Sequence, residues 1–590
     1  MNNMVKIKIN NIEVEVEKGT MLLDAIKVAG FDVPTLCYHE DLEPTGGCGV
    51  CVVEMKGAPT LKRACCTPID GDGIEINTFS EKVKKARRTV VELILSDHPD
   101  DCLTCIRNGN CELQSLAEEL GVRENRFEKI YTEKEIDESS SSIIRDPLKC
   151  IKCQRCVQVC QEVQEVAAID MIQRGFDTIM GLPFEMGLAD TVCINCGQCI
   201  SVCPVGAIYE KLNEKDVWDA LSDPKKHVIV QEAPAVRVAI GEEFGMEPGT
   251  ITAGKMHSAL KRLGFDKVFD TNFSADLTIM EESTELIGIT KHAISTGDMS
   301  KLPIITSCSP GWIKFMETFY PNLMNNVSTC KSPQQMFGAL SKTYYADKEG
   351  IDPGNIVSVS VMPCTAKKYE AQRPEMRASG YQDVDFVLTT REFARMIKLA
   401  GIDFANLPDV IADSPMGEYT GAATIFGATG GVMEAALRTG YELISGETLP
   451  SVDLKMVRGM DGVKEADVEI PGLPFPLKVA IAHGLGNARK ILDKVSKQIE
   501  KDRKSEYHFI EIMACPGGCV GGGGQPYGSS IAIRAKRACG LYNEDSTMLT
   551  HRKSHENEQI KQLYKEFLGE PNGEKAHHLL HTKYTRRDDI

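Results

Sequence analysis

No run of 18 apolar residues occurs anywhere in the 590-residue chain, so no segment reads as a membrane span. The opening residues, Met1-Asn2-Asn3-Met4-Val5-Lys6, lack the apolar core of a secretory leader. Basic residues form no long stripe and the formal net charge is −17, which argues against nucleic acid as the main partner. An acidic surface of this kind favours solubility and docking to a basic patch on another protein. The turn Gly484-Leu485-Gly486 follows a strand-like run but lacks the third glycine of a dinucleotide fingerprint, and Gly427 to Gly431 reads as a tight turn. These absences lead to the expectation of a cytoplasmic chain that neither enters a membrane nor binds a nucleotide itself.

Cysteine is what the sequence has in excess. There are 22, too many for a plain cytosolic enzyme and too clustered for a secreted scaffold, so they point to metal rather than to disulfides. Cys193, Cys196, Cys199 and Cys203 read Cys-x2-Cys-x2-Cys-x3-Cys-Pro, and Cys150, Cys153, Cys156 and Cys160 repeat the spacing. This is the ligand run of a two-cluster bacterial ferredoxin, in which each fourth cysteine ligates the other cluster. One [4Fe–4S] cluster is therefore expected on Cys150, Cys153, Cys156 and Cys203, the other on Cys193, Cys196, Cys199 and Cys160. A short loop that wraps three soft thiolates around one cube accounts for the spacing.

The length suggests about four domains. Val5, Ile7 and Ile9, then Ile12, Val14 and Val16, alternate with polar residues around Asn10-Asn11, which predicts a β-hairpin. Leu22, Ala25, Ile26 and Ala29 share a helical face that ends at Gly30. Strand, strand, helix suggests a β-grasp domain over 1–80. Its Cys37, Cys48, Cys51 and Cys65 are similar to a plant-type [2Fe–2S] ferredoxin, with a longer first gap and with Cys66 as a competing ligand. Residues 81–95 predict an amphipathic helix with Val90, Val91, Leu93 and Ile94 on its apolar face. It delivers His98, Cys102, Cys105 and Cys111, three thiols and an imidazole for one [4Fe–4S] cube, in a domain over 81–131. A polar linker is expected at 132–145, the ferredoxin repeat at 146–212, and a large α/β domain at 225–590. The fold class is thus α+β and multidomain.

The last domain holds few cysteines, in three separate segments. Cys308 lies in Thr306-Ser307-Cys308-Ser309-Pro310-Gly311-Trp312, Cys364 in Met362-Pro363-Cys364-Thr365-Ala366-Lys367-Lys368-Tyr369-Glu370, and Cys515 and Cys519 in Glu511-Ile512-Met513-Ala514-Cys515-Pro516-Gly517-Gly518-Cys519, ahead of Gly521 to Gln525 and Pro526. These segments resemble the three signature motifs of the [FeFe] hydrogenases: Thr-Ser-Cys-Cys-Pro-x-Trp, Met-Pro-Cys-x-x-Lys-x-x-Glu, and Glu-x-Met-Ala-Cys-x-x-Gly-Cys-x-x-Gly-Gly-Gly-Gln-Pro. The resemblance extends to the order of the N-terminal domains, and it favours Cys65 over Cys66.

The resemblance implies reversible 2H⁺ + 2e⁻ ⇌ H₂ at an H-cluster, a [4Fe–4S] cube joined through one cysteine sulfur to a two-iron site with CO, cyanide and an azadithiolate bridge. One [2Fe–2S] and three accessory [4Fe–4S] clusters would feed it. Cys519 matches the bridging cysteine, and Cys364 and Cys515 match other ligands of the cube. The second cysteine of the first motif is Ser309 here, so either Ser309 ligates through oxygen or Cys308 takes the ligand role instead of serving as the last proton donor. Glu282, Glu285 and Ser328 match the family's proton relay, and Lys367 matches the residue that hydrogen-bonds a cyanide. Pro234, Ser332, Gln334, Met362 and Met513 match other lining residues. Cys330 and Cys539 carry no assignment.

The Thr-Ser-Cys-Ser-Pro variant looks like members of electron-bifurcating complexes. That implies ferredoxin as a partner, with NADH- and flavin-binding and small iron–sulfur subunits supplying the NAD(H) site this chain lacks. A stand-alone ferredoxin-linked enzyme is the alternative. The first 212 residues also resemble electron-transfer subunits of complex I and of formate dehydrogenases, which lack the three motifs. An iron–sulfur assembly or sensory relative is a further reading, opposed by the intact Lys367, Glu282, Glu285 and Ser328.

Overall fold

The computed structural model describes residues 3–129, 134–548 and 551–587. The expected hairpin forms from strands Met4–Ile9 and Ile12–Glu17 in register Ile9 to Ile12. Asn10 and Asn11 make the turn at φ 47° and 71°, the left-handed pair a two-residue hairpin needs and asparagine tolerates. Strand Glu75–Asn77 pairs parallel to the first strand, and Val52–Met55 and Lys62–Arg63 complete a five-stranded sheet. Helix Leu22–Val28 covers it with Leu22, Leu23, Ala25 and Ile26 buried.

Helix Glu81–Ser96 follows, capped by the Ser80 hydroxyl, which accepts from the Val83 amide at 3.3 Å. Val91 is buried in its apolar seam and Val90 and Ile94 pack beside it, whereas Leu93 is 49% exposed. A face of four residues is wider than the stripe this helix buries. The linker also differs from expectation. Residues 132 and 133, its start, lie outside the described residues. Its end is the strand Ile143–Arg145, which pairs antiparallel with Ile208–Glu210, and Ser140 and Ser142 are buried. The polar composition misled because Ser140 accepts from the backbone amides of Ser142 and Ile143 while donating to Asn195. The serines serve a turn that closes the ferredoxin repeat.

Two four-stranded sheets form the large domain. In one, Lys267–Asp270, His227–Glu232, Ile356–Met362 and Phe386–Thr389 lie side by side, all parallel. In the other, Ile304–Ile305, Phe509–Met513 and Leu477–His483 are parallel and Val463–Val468 is an antiparallel edge. Strand Ile356–Met362 is buried along its whole length, the signature of a parallel strand covered on both faces. The long helix Thr271–Thr296 packs against helices Pro333–Leu340 and Gly431–Ser445. No helix among the described residues is long and apolar enough to cross a membrane.

Candidate active site

Each signature segment leaves the carboxyl end of a parallel strand, where open α/β sheets bind ligands. Ile304–Ile305 leads to Cys308, Ile356–Met362 to Cys364, Phe509–Met513 to Cys515, and His227–Glu232 to Pro234. The loops are held by their own side chains. Trp312 is fully buried and its indole N–H donates to the Thr306 carbonyl at 3.0 Å, and Pro310 opens helix Pro310–Phe319, where its missing N–H costs nothing. In the third segment the Gly517 amide donates to His483 Nδ1 at 3.0 Å, a ring that burial keeps neutral by lowering its pKa to about 4. Gly518 has φ +89°, and a Cβ there would lie 2.7 Å from the Thr429 nitrogen.

The four thiols gather in one place. Cys519 and Cys364 both act electrostatically on Cys515, and Cys519 acts on Cys308. Burial raises all four pKa values, Cys519 to about 12. Thiols so desolvated become thiolates only beside a compensating cation, and soft ligands in this number suit iron–sulfur chemistry. Lys367 Nζ donates to the Cys308 carbonyl at 3.0 Å and to Glu370 at 2.9 Å. Glu370 also accepts from Ser332 at 2.9 Å and Gln334 at 3.1 Å, so three expected lining residues converge on a carboxylate not expected as a site residue. Its signal was present as the last letter of the second motif. Met362 and Met513 are buried at their strand ends, and Pro234 is buried beside them in sequence with Ala233 and Ala235.

Cys308 and Ser309 face different neighbours. Charge on Cys519, Glu282 and Lys367 reaches the Cys308 thiol, while the Ser309 hydroxyl accepts from the Ala514 amide at 3.2 Å, next to Cys515. Beyond Cys308, Ser328 and the Ser307 backbone lie beside the Glu282 carboxyl and favour its charged form. Ser328 Oγ also donates to Glu285 Oε2 at 2.6 Å. Burial first, and the Glu285 charge second, push the Glu282 pKa up to about 8. Both glutamates project from one face of the long helix, as their spacing predicts.

The ferredoxin repeat docks on the opposite side. Cys515 acts electrostatically on Cys196. Gln198 Nε2 donates to the Gly521 carbonyl at 2.9 Å, and Thr365 Oγ1 to the Asn195 carbonyl at 2.8 Å. A Cβ on Gly523 would lie 2.3 Å from the Cys196 carbonyl, and one on Gly197 2.4 Å from Thr365 Oγ1, so the two loops touch backbone to backbone. Arg391 bridges them, pairing with Glu210 at 2.7 Å and donating to the Gly523 carbonyl at 2.8 Å. Within the repeat, charge on Cys203 reaches Cys153, Cys156 and Cys199, and charge on Cys193 reaches Cys160. Cys160, Cys193, Cys196 and Cys199 line one apolar-walled cavity.

Further out, the His98 Nδ1 is buried without a partner, and burial lowers its pKa to about 4, leaving a neutral imidazole. Cys102 is exposed, and Cys105 and Cys111 are half-buried. In the N-terminal domain Cys51 and Cys65 sulfurs are 3.4 Å apart, and the Cys48 amide points at the Cys37 sulfur at 3.5 Å. Cys66 is exposed and turns away over Gly46. The Gly484 turn packs on the repeat, with a Cβ on Gly486 only 3.1 Å from Glu165 and the Val163 carbonyl. Cys330 is buried and Cys539 exposed.

Comparison with known proteins finds hydrogenase and iron–sulfur families along the chain. Residues 226–523 match the iron-only hydrogenase large subunit, C-terminal domain, and 531–587 the iron hydrogenase small subunit. Residues 2–81 match a 2Fe–2S iron–sulfur cluster binding domain, 87–126 the NADH-ubiquinone oxidoreductase-G iron–sulfur binding region, and 149–207 a 4Fe–4S dicluster domain. The NADP-reducing hydrogenase subunit HndD of Solidesulfovibrio fructosivorans is 51% identical over 100% of both chains. Iron hydrogenase 1 of Clostridium pasteurianum is 43% identical over 99% of this chain and 100% of its own. A solved structure of the [FeFe]-hydrogenase HydA1 from Chlamydomonas reinhardtii superposes with a TM-score of 0.55 and 45% identity, covering 63% of this chain and 98% of that one. With motifs, fold and whole-length relatives in agreement, this chain belongs to the iron-only, or [FeFe], hydrogenases, and it is an oxidoreductase that acts on hydrogen with electrons relayed through iron–sulfur clusters.

Proposed function

We propose that the chain is the hydrogen-activating subunit of an assembly that exchanges electrons with NAD(P)H and ferredoxin, and that its H-cluster hangs on Cys364, Cys515 and Cys519 with Ser309 completing the cube. The observation that carries this reading is the convergence of Cys308, Cys364, Cys515 and Cys519 around Lys367, with Cys196 on the far side of Cys515. When bound, the cluster would supply the redox chemistry that joins two protons and two electrons as H₂. The chain supplies the rest. Lys367, steadied by Glu370, offers one ammonium to a diatomic ligand. Cys308 is the last proton donor, a role supported by the charge of Glu282 reaching its thiol and by the Ser309 oxygen lying against the Ala514 amide. Ser328 connects the two glutamates, and its single hydroxyl proton can pass only as another is taken up.

Electrons enter through a [2Fe–2S] cluster on Cys37, Cys48, Cys51 and Cys65 and a [4Fe–4S] cluster on His98, Cys102, Cys105 and Cys111. They reach the H-cluster through the two cubes of the repeat, Cys150, Cys153, Cys156 and Cys203 being nearer the entry and Cys193, Cys196, Cys199 and Cys160 nearer the exit. NAD(P) coupling is supported by the full-length similarity to a subunit named NADP-reducing. The packing of Val163 and Glu165 against the Gly484–Gly486 turn supports a nicotinamide site on another subunit. The test is infrared spectroscopy of the anaerobically matured protein, with CO and cyanide bands expected, followed by NAD(P)H oxidation with and without ferredoxin in the isolated complex. A sample with full iron but no such bands would end the H-cluster reading, and hydrogen turnover that ignores both carriers would end the coupling.

A further inference from the structure

Helix Pro310–Phe319 buries a cation that no carboxylate pairs with. Lys314 is 7% exposed, yet its ammonium has no hydrogen bond and no ion pair among the described residues. Its contact is the Tyr369 ring, whose centre lies 5.0 Å from Nζ. Glu317, one turn further along the same helix, is already taken: it pairs with Arg373 at 2.6 Å and with Arg587 at 3.0 Å. An ammonium withdrawn from water without a partner is costly, and burial lowers the Lys314 pKa. A charge kept at such a cost needs an anion elsewhere.

The packing shows where that anion would be. One turn before Lys314, a Cβ on Gly311 would lie 3.7 Å from both the Cys196 Cβ and the Ile194 carbonyl. Helical side chains lean back towards the N-terminus of their helix, so Lys314 extends over the turn that meets the Cys193–Cys196 loop. Trp312, Ile313, Phe315 and Met316 share one apolar core with Cys193, Ile194 and Cys196. Lys314 also lines a groove of 910 Å³ together with Thr191 and Val192, the two residues that lead into Cys193. The ammonium and the Cys193 sulfur act on each other, each favouring the charged form of its partner.

We propose that Lys314 is the fixed counter-charge of the [4Fe–4S] cube on Cys160, Cys193, Cys196 and Cys199, and that it raises the reduction potential of that cube. The inference rests on the ligand set given to this cube above. Reduction brings in one electron from the cube on Cys150, Cys153, Cys156 and Cys203, and no proton moves. The added negative charge is stabilised by a positive charge held nearby in a poorly polarisable interior. Cys196 lies beside Cys515, so this cube is the last stop before the H-cluster, and a raised potential holds an electron there. Lys314 touches neither hydrogen nor the reacting atoms, and is a positioning residue.

The test is a redox titration of the cluster-loaded full chain, followed by electron paramagnetic resonance. Cys193→Ala first marks the signal that belongs to this cube. Lys314→Met keeps the apolar stem and removes the charge. At the parent midpoint it should lower the ratio of reduced to oxidised cube about tenfold, which is about 59 mV for one electron. The midpoints of the other accessory clusters should hold. Lys314→Gln should shift the same signal in the same direction, and Lys314→Arg should return it to the parent midpoint, which a merely structural role would not do. The shift should persist at about 1 M salt, because a buried charge is little screened. If Cys193→Ala alters one signal and neither Lys314→Met nor Lys314→Gln moves its midpoint, the tuning role falls and the ligand set stands. If Cys193→Ala alters no signal, the ligand set falls and takes the tuning role with it.

Discussion

On the Cys515 side, the segment carrying Cys196 meets the glycine loop through bare backbone, Gly197 against Thr365 and Gly523 against the Cys196 carbonyl. On the Cys308 side, carboxyl and hydroxyl groups alternate through Glu282, Ser328 and Glu285 to Thr329. One face is a close backbone contact fastened by the Thr365 and Gln198 side chains, and the other is a run of polar groups that begins at the buried Glu282 and ends at the half-buried Glu285 and Thr329. Electrons need only closeness, which glycine provides by removing the Cβ. Protons need a donor and an acceptor at every hop, which requires polar groups that are costly to bury unless each is paired. The same domain meets both demands by giving each its own wall.

Substitutions can pull the two walls apart. Cys519→Ala strikes the group they share, so hydrogen turnover and the CO and cyanide infrared bands should vanish while the paramagnetic signals of the accessory clusters persist; bands of normal intensity would refute the ligand assignment. Glu282→Ala should lower turnover by about 10³-fold with the infrared spectrum unchanged, and should lower H₂/D⁺ exchange in proportion, because exchange needs the proton wall alone. Gly523→Ala should do the reverse. Its Cβ meets main-chain atoms of Cys196 and Gly197, which costs about 1–3 kcal/mol as overpacking does, so carrier-driven turnover should slow while H₂/D⁺ exchange holds; equal loss of both would show that the walls are not separable. His98→Ala should have the smallest effect, changing one accessory paramagnetic signal and leaving H₂/D⁺ exchange at the parent rate.

Legibility followed the distance between cooperating residues in the chain. The hairpin at Asn10-Asn11 and the helix from Leu22 were readable because alternation and a shared apolar face are local patterns. Ser140 and Ser142 misled, since a buried serine that caps a turn has the composition of a linker. Leu93 misled because a helix buries only the stripe its neighbours reach. Glu370 was in view as part of a motif, yet its role as the anchor of Lys367, Ser332 and Gln334 depends on loops brought together from separate strands.

The sequence by itself determined the chemistry, because thiol spacing fixes how a short loop can wrap a cluster and three motifs name a family. Tertiary structure decided which atoms meet which: Cys65 is buried and Cys66 exposed, and the Ser309 hydroxyl lies against the Ala514 amide. Neighbouring side chains leave the backbone in different directions, in the 3₁₀ turn Ala64–Cys66 as in the segment that carries Ser309, so a pair adjacent in sequence is divided only when the surrounding strands and loops give each side a different environment.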